Sequence, residues 1–205
     1  MMQARISTIS AIIVATMVLG GCAGSKPPNY YILRSIQNQG PEGDTAGMEP
    51  DRAIGLGPVK IPQYLDRPEM ASRTGQSGLQ FAEFDKWAEP LDRNLTRVLA
   101  DNLAALLSSE RVLAYPWPDS MPVRYQVTVE FIHLEKMTDN KIILEASWNV
   151  LGNGGEKLLL MRRSKLIIPV ESAGFEEIAS AESRAVEALS RDIAAAVGSL
   201  LGRAS

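Results

Sequence analysis

Hydrophobic residues alternate with polar residues in three long segments of the C-terminal half, and this period of two predicts β-strands. The segments cover residues 124–136, 141–151 and 156–169, and the short links MTDN and GNGG between them are typical of hairpin turns. Together they predict an antiparallel meander.

The proline and glycine residues of 53–62 favour a strand that bends or lies at a sheet edge, and the turn-rich stretch 37–50 is expected to be an exposed loop. Shorter strands are predicted at 30–33, 53–62, 69–73, 77–84 and 111–116.

Two longer segments repeat hydrophobic residues at helical spacing. The first covers 85–108, with Trp87 at its head and Pro90 in its first turn, where a missing N–H costs little. The second covers 175–201 and places its charged residues, Glu182 among them, as a solvated face opposite an apolar stripe. The order of elements predicts an α+β fold, a single mainly antiparallel or mixed β-sheet with two long α-helices packed on one face.

The first 21 residues differ from the rest of the chain. Arg5 precedes an apolar run of about 14 uncharged residues and then small residues, the pattern of a secretory signal peptide. The run is shorter than the roughly 20 apolar residues of a membrane span. Residues 22–29 are expected to form a tether, and the seven residues that follow Cys22 reach at most about 25 Å. Residues 30–205 are expected to fold as one domain near a membrane.

Cys22 is the only cysteine of the chain, so an intramolecular disulfide is excluded. Leu19-Gly20-Gly21-Cys22 resembles the lipobox of bacterial lipoproteins, which implies signal cleavage between Gly21 and Cys22 and covalent lipid, palmitate included, on Cys22. Two or more acyl chains anchor a protein stably where one does not. Ala23 follows the cysteine where aspartate would favour inner-membrane retention, which indicates the outer membrane with the body facing the periplasm. The alternative is an ordinary secretory signal followed by a free thiol.

Composition argues against several classes of function. The formal net charge of −3 provides no basic surplus for a nucleic-acid partner. One histidine and one cysteine are too few for a zinc site or a Cys–His nucleophile pair, and no phosphate-binding glycine motif is present. His133 lies inside a predicted strand without a nucleophile elbow, which favours a structural role over that of a general base. We therefore expect no catalytic residue, no metal site and no cofactor apart from the lipid on Cys22, and an envelope hydrolase is disfavoured.

Two segments carry side chains whose role the pattern leaves open. In IPQYLDRPEM, Tyr64 and Leu65 stand beside Asp66 and Arg67 in a turn, where the pair can cap the core or face a partner. Trp87 can likewise belong to the core or to an interface, since tryptophan and tyrosine often anchor interfaces. The acidic and basic residues around these positions are expected to form surface ion pairs.

Four segments in this order, YYIL, GPVKIPQYLDRPEM, EFDKWAEPL and VLADNLAALL, resemble the auxiliary lipoproteins of ABC-type transporters, and within them the paraquat-inducible protein C (PqiC) group. The resemblance runs from YYIL to the C-terminal helix, and YLDRP and WAEPL are its specific part. It implies that Tyr64, Leu65, Asp66, Arg67 and Trp87 are signature positions and candidates for partner binding.

The same resemblance implies a function. The protein would be an outer-membrane lipoprotein that serves as a non-catalytic docking subunit of an intermembrane lipid transport system and maintains envelope integrity. Its partner would be a PqiB-type protein with mammalian-cell-entry (MCE) domains, anchored in the inner membrane and spanning the periplasm, and the resemblance also allows a homo-oligomer. The alternative is a periplasm-facing carrier of a lipid or small ligand with its own cavity.

Overall fold

The computed structural model describes residues 26–36, 53–107, 112–118, 120–172 and 174–203. The signal peptide, Cys22 and the predicted loop 37–50 lie outside these residues. The strands are β1 (Asn29–Tyr31), β2 (Ile54–Lys60), β3 (Glu69–Arg73), β4 (Leu79–Trp87), β5 (Val112–Ala114), β6 (Tyr125–Lys136), β7 (Lys141–Gly152) and β8 (Lys157–Pro169). The helices are α1 (Leu91–Leu107) and α2 (Phe175–Arg203), with 3-10 turns at Gln63–Leu65 and Asn153–Gly155.

The eight strands of the described chain form one sheet with β6 at its centre. On one side β6 runs antiparallel to β7, which in turn pairs with β8, so the predicted meander is confirmed. On its other side β6 pairs in parallel with β2 along its first half, and with β3 through one residue pair, Ser72 and Lys136. β5 extends β2, and β4 and β1 extend β3. The sheet is therefore mixed.

Both helices cover the same face of this sheet. The residues of β6 and β7 that point to this face alternate along each strand and are buried, with Val129 opposite Trp148 and Phe131 opposite Ala146. α1 packs against β2, β5 and α2, and α2 packs against β6, β7 and β8. The predicted α+β architecture is confirmed. Neither helix of the described part has a stretch apolar and long enough to cross a membrane.

The first helix begins six residues later than the sequence predicted. α1 starts at Leu91, and Trp87 is the last residue of β4, where it pairs with Tyr31 of β1. The residue before a proline is disfavoured in the α-conformation, so Glu89 cannot continue a helix into Pro90. Pro90 instead precedes the helix and accepts hydrogen bonds from the third and fourth residues after it. Pairing with β1 and β3 on both sides outweighs the helical spacing of Trp87 with Leu91.

The prediction for β2 gave two alternatives, a bend or an edge position, and the structure shows the bend. The strand has a register shift between Leu56 and Val59, where Gly57 has a φ of +123°, so it does bend. It is not at an edge, because β5 pairs with it on one side and β6 on the other. The Trp117 ring folds back over Gly55, where an added Cβ would lie 2.5 Å from a ring carbon.

An extended strap, residues 32–36, connects β1 to the groove between the helices. The backbone N–H of Leu33 donates to Asn94 Oδ1 at 2.8 Å, and that of Ile36 donates to Asn102 Oδ1 at 2.7 Å. Asn102 Nδ2 then donates to Ser190 Oγ of α2 at 3.0 Å. The side chain of Leu33 is buried between the helices. The segment that leaves the predicted tether is thus fixed to both helices within a few residues.

Candidate functional site

Three separate stretches of the N-terminal half meet at one end of the sheet. Tyr31 pairs with Trp87 in register, and the N–H of Ala88 donates to the carbonyl oxygen of Tyr31 at 2.8 Å. The N–H of Trp87 donates to the carbonyl oxygen of Pro68 at 2.7 Å. The YYIL, YLDRP and WAEPL segments, which are far apart in sequence, are therefore held together by backbone hydrogen bonds.

These stretches line an open cavity of about 420 Å³, which we call the signature cavity. Its walls carry two basic and two acidic side chains together with aromatic, proline and alanine surface. Tyr30 is 63% exposed and stands at its rim, directly after the predicted tether. The lining residues are Tyr30, Asp66, Arg67, Pro68, Lys86, Trp87, Ala88, Glu89 and Pro90.

The five signature residues occupy two different environments. Asp66 and Arg67 are exposed and line the signature cavity together with the largely buried Trp87. Leu65 is buried in the core, and Tyr64 is half-buried with its hydroxyl directed away from the cavity towards β6. Three of the five signature residues thus lie together at the cavity, and the other two make contacts inside the domain. A role of the five residues in partner binding stays a prediction.

The charges around the signature cavity are arranged by weak contacts. The guanidinium of Arg67 lies 3.9 Å from the centre of the Phe81 ring, and its Nε is 3.9 Å from a carboxylate oxygen of Glu69. Lys86 Nζ is 3.6 Å from the other oxygen of Glu69. Such exposed pairs contribute little to stability. Arg67 and Lys86 therefore remain able to exchange these contacts for those of a ligand or partner.

Directly behind the YLDRP turn lies a buried carboxylate, Glu135 of β6. Its Oε2 accepts hydrogen bonds from the Tyr64 hydroxyl at 2.7 Å and from the N–H of Leu134 at 2.9 Å. Its Oε1 accepts one from Arg73 Nε at 2.8 Å and lies 2.7 Å from Arg73 Nη2. His133 Nδ1 is 3.2 Å from the same oxygen. The carboxylate is thus supplied with donors on both oxygens.

The electrostatics of this cluster favour fixed protonation states. Burial raises the pKa of the Tyr64 phenol, and the hydrogen bond and negative charge of Glu135 raise it further. The hydrogen bond to Glu135 also raises the pKa of Arg73. The phenol therefore stays protonated and the guanidinium stays charged at ordinary pH. Tyr64 of the turn and Arg73 of β3 both donate to Glu135 of β6, so the cluster is a structural clamp between β6, β3 and the turn.

Glu182 corrects the expectation of a fully solvated charged face on the second helix. It is almost completely buried on α2, and its Oε2 has no hydrogen-bond partner among the described residues. Burial raises the pKa of this carboxyl well above its ordinary value, and the nearby charge of Glu135 adds to the effect. Burial therefore favours the protonated, neutral form of Glu182 in the folded protein. The surrounding charged run concealed it in the sequence.

A larger cavity of about 750 Å³ lies on the other side of α1, between that helix, β5 and the loop after it. Arg93 and Arg97 face Tyr115 and Val112 across it. Residues 108–111, which follow α1 and precede β5, lie outside the described residues. In the described ranges no group of three or more histidine, cysteine or acidic side chains is placed to hold a metal ion.

Comparison with known proteins identifies relatives over most of the chain. Residues 33–194 match the model of a family described as ABC-type transport auxiliary lipoprotein component. The chain is 26% identical over 168 residues to the intermembrane transport lipoprotein PqiC of Escherichia coli K12, which covers 82% of this chain and 85% of that protein. The protein of the same name from Shigella flexneri matches to the same extent.

Two crystal structures show the same fold. One, of an uncharacterized protein, superposes with a TM-score of 0.69 at 20% identity and covers 84% of this chain and 99% of that one. The other, of a Xanthomonas campestris protein, has a TM-score of 0.62 at 14% identity and covers 81% and 92%. At these identities the likeness concerns the architecture alone.

Removing the Tyr64 hydroxyl tests the structural clamp. In Tyr64→Phe, the fully buried carboxylate of Glu135 loses a hydrogen-bond donor, and hydrogen bonds to charged groups contribute about 1.5–3 kcal/mol. We expect the free energy of unfolding to fall by about that amount, measured by urea denaturation monitored by circular dichroism. Tyr115→Phe is the matched control, because Tyr115 is 55% exposed. Equal, small effects of both substitutions would contradict the assignment.

The raised pKa of Glu182 predicts a pH-dependent stability. Between the ordinary carboxyl pKa near 4.5 and the raised value in the folded state, the folded protein binds more protons than the unfolded chain. Wild-type stability therefore falls as pH rises through this window, by up to about 1.4 kcal/mol per pH unit. Glu182→Gln does not titrate, so its free energy of unfolding should exceed that of the wild type at pH 8 and approach it near pH 4.

The control for this experiment is Glu187→Gln, which changes an exposed carboxylate on the same helix that pairs with Arg191 at 2.7 Å. It should leave the pH profile of the wild type almost unchanged. If the Glu182→Gln protein keeps the wild-type slope of unfolding free energy against pH, Glu182 is not a neutral buried acid.

Proposed function

The chain belongs to the family of ABC-type transport auxiliary lipoprotein components, and on that premise we propose that it is the outer-membrane docking subunit of an intermembrane lipid transport system. As an auxiliary lipoprotein it associates with a membrane. We propose that its partner is an inner-membrane protein whose MCE domains extend across the periplasm, and that it contributes binding surface and no catalysis. The name of the Escherichia coli relative, intermembrane transport lipoprotein, supports this proposal.

The anchor is assigned to Cys22 from the lipobox, and the structure describes the body that follows it. β1 begins at Asn29, so six residues, 23–28, lie between Cys22 and the sheet. The seven Cα–Cα steps from Cys22 to Asn29 reach about 25 Å at full extension. The strap at 32–36 then ties this entry point to both helices. Together these features hold the body near the membrane surface and restrict its orientation.

The observation that carries the docking role is the convergence of the three signature segments on the signature cavity. Arg67 and Lys86 lie beside Asp66 and Glu89, so the cavity presents both signs of charge around an apolar floor at Trp87. Interfaces combine such an apolar, aromatic centre with a polar rim. The signature cavity includes Tyr30, which directly follows the predicted tether. The short tether therefore sets the distance between the cavity and the membrane. We propose that this is where the transport protein binds.

The anchor is tested by substituting Cys22. Cys22→Ser removes the thiol nucleophile that lipid transfer requires, so we expect no incorporation of an alkyne-labelled fatty acid and release of the protein from membranes on cell fractionation. Ala23→Ser leaves the thiol and is the control. Wild-type labelling of the Cys22→Ser protein would exclude Cys22 as the site of lipid attachment.

The docking surface is tested by site-specific photocrosslinking in intact envelopes. With benzoylphenylalanine in place of Tyr30, at the rim of the signature cavity, we expect a crosslinked product that contains an MCE-domain protein. The control is the same replacement at Tyr115, an aromatic residue of similar exposure elsewhere on the domain. Its yield of that product should be lower by about tenfold or more, because a crosslinker reacts only with groups in direct contact.

Two results would contradict the proposal. Equal yields at the two positions would show that the signature cavity is not the contact. Alternatively, native mass spectrometry of the purified lipoprotein can show one bound phospholipid at fixed stoichiometry, with no MCE-domain product from Tyr30. That outcome favours the carrier function, and the 750 Å³ cavity beside α1 is then the candidate site for the bound phospholipid.

A further inference from the structure

β8 is a long strand with one unpaired edge. It contains 13 residues and pairs with β7 alone. The backbone N–H and C=O groups on its other side have no strand partner in the described sheet, and such an edge is a template for pairing with another chain. At the opposite end of the sheet the edge strand β1 has three residues.

The side chains of β8 are unusually exposed for an apolar strand. Of the eight large hydrophobic residues that are exposed in the described ranges, four belong to β8. Leu158 and Ile167 are each 53% exposed, and Met161 is 67% exposed. A bulge at Leu159 and Pro169 at the end of the strand limit pairing at its two ends, as in protected edges. Protection alone does not require exposed apolar side chains, which indicates a surface that is covered in the assembly.

The charge of β8 is opposite to that of the whole chain. The strand holds four basic residues and no acidic one, while the formal net charge of the protein is −3. Arg163 reaches Glu145 of β7 at 2.6 Å, and Lys165 lies opposite the same glutamate. Arg162 packs over the Trp148 ring on the helix side. Glu145 is therefore the carboxylate next to both Arg163 and Lys165, and the surface of β8 keeps a positive charge.

This charge pattern argues against a second copy of the chain as the partner strand. Arg163 is the middle residue of 157–169, so a symmetric antiparallel pair of β8 strands would place it opposite the second copy's Arg163. The same pairing would set Lys165 opposite Met161, and no cation of β8 would have an acidic residue opposite it on the second strand. Like charges directly opposite each other destabilise a strand pair, whereas opposite charges stabilise it.

The chemistry of the unpaired edge argues against the membrane as its occupant. Lipid headgroups cannot supply the regular row of donors and acceptors that an unpaired strand edge requires. A protein strand satisfies both the backbone groups and the exposed side chains.

We propose that β8 is a docking edge for an extended acidic segment of another protein, which adds to the sheet as a ninth strand. On the face away from the helices, Met161, Arg163, Lys165 and Ile167 follow one another at alternate positions. A matching strand carries two acidic residues flanked by two apolar ones in the same alternation. This surface is separate from the signature cavity and does not depend on which transport protein binds there.

The test uses two synthetic peptides as probes and the full lipidated protein in detergent micelles. Both peptides carry two charged residues flanked by two valines at alternate positions, with threonines between them; the charged residues are glutamates in one and lysines in the other. By fluorescence anisotropy we expect the glutamate peptide to bind about tenfold more tightly or better, with affinity falling as salt is raised. Hydrogen exchange measured by mass spectrometry should slow in β8.

Variants separate charge recognition from general adhesion. Arg163→Gln with Lys165→Gln should reduce the preference for the glutamate peptide to about twofold or less. Lys26→Gln with Lys60→Gln removes the same charge from exposed positions outside β8 and should leave the preference intact. Because the peptide exchange is made on the unchanged protein, the test does not depend on the folding of any variant.

Several outcomes would overturn the proposal. These are equal affinity for the two peptides, failure of both to bind, or slowed exchange somewhere other than β8. Concentration-dependent protection of β8 without any peptide would identify a second copy as the occupant. Protection of β8 by anionic phospholipid vesicles, absent with neutral vesicles, would identify the membrane. Failure here leaves crosslinking at Tyr30 unaffected, so the two proposals are judged separately.

Discussion

The carboxylate of Glu135 joins two parts of the sheet that share little else. β3, β4 and β1 form a unit that reaches the central strand through one residue pair, Ser72 and Lys136. Arg73, the next residue of β3, and Tyr64, from the turn before it, both bond to Glu135 of β6. The signature cavity is built by this attached unit, so its position relative to the main sheet depends on the clamp and on helix packing.

Strands and helices with a regular local pattern of hydrophobic residues could be predicted from the sequence. The prediction failed where contacts between residues far apart in sequence determine the structure. The β6–β8 meander followed from alternation, and the helices followed from apolar spacing. The end of β4 at Trp87 did not, because pairing with β1, more than fifty residues earlier, competes there with a helical repeat. Tyr64 was recognised as important, but its partner Glu135 is 71 residues away and has no local signal. Asp66 and Arg67 gave no indication of the cavity that Tyr30 and Trp87 complete.

The attachment of the N-terminal segment explains how a short tether can orient the body. β1 pairs with β4, and its Tyr31 hydroxyl donates to Asp85 at 2.9 Å. Asn94 and Asn102 then take the place of a strand partner for the strap, since their side-chain oxygens accept its N–H groups. Amide side chains on a helix can satisfy an extended chain in this way without a sheet. Residues 29–36 are therefore fixed to the sheet and to both helices.

Two buried glutamates in this core differ in their supply of hydrogen-bond donors. Glu135 accepts hydrogen bonds from Arg73, Tyr64 and the N–H of Leu134, so its charge is compensated. Glu182 has an oxygen without a donor among the described residues, and burial and the nearby Glu135 both raise the pKa of its carboxyl. A proton on Glu182 therefore avoids a second negative charge beside the carboxylate that holds the YLDRP turn.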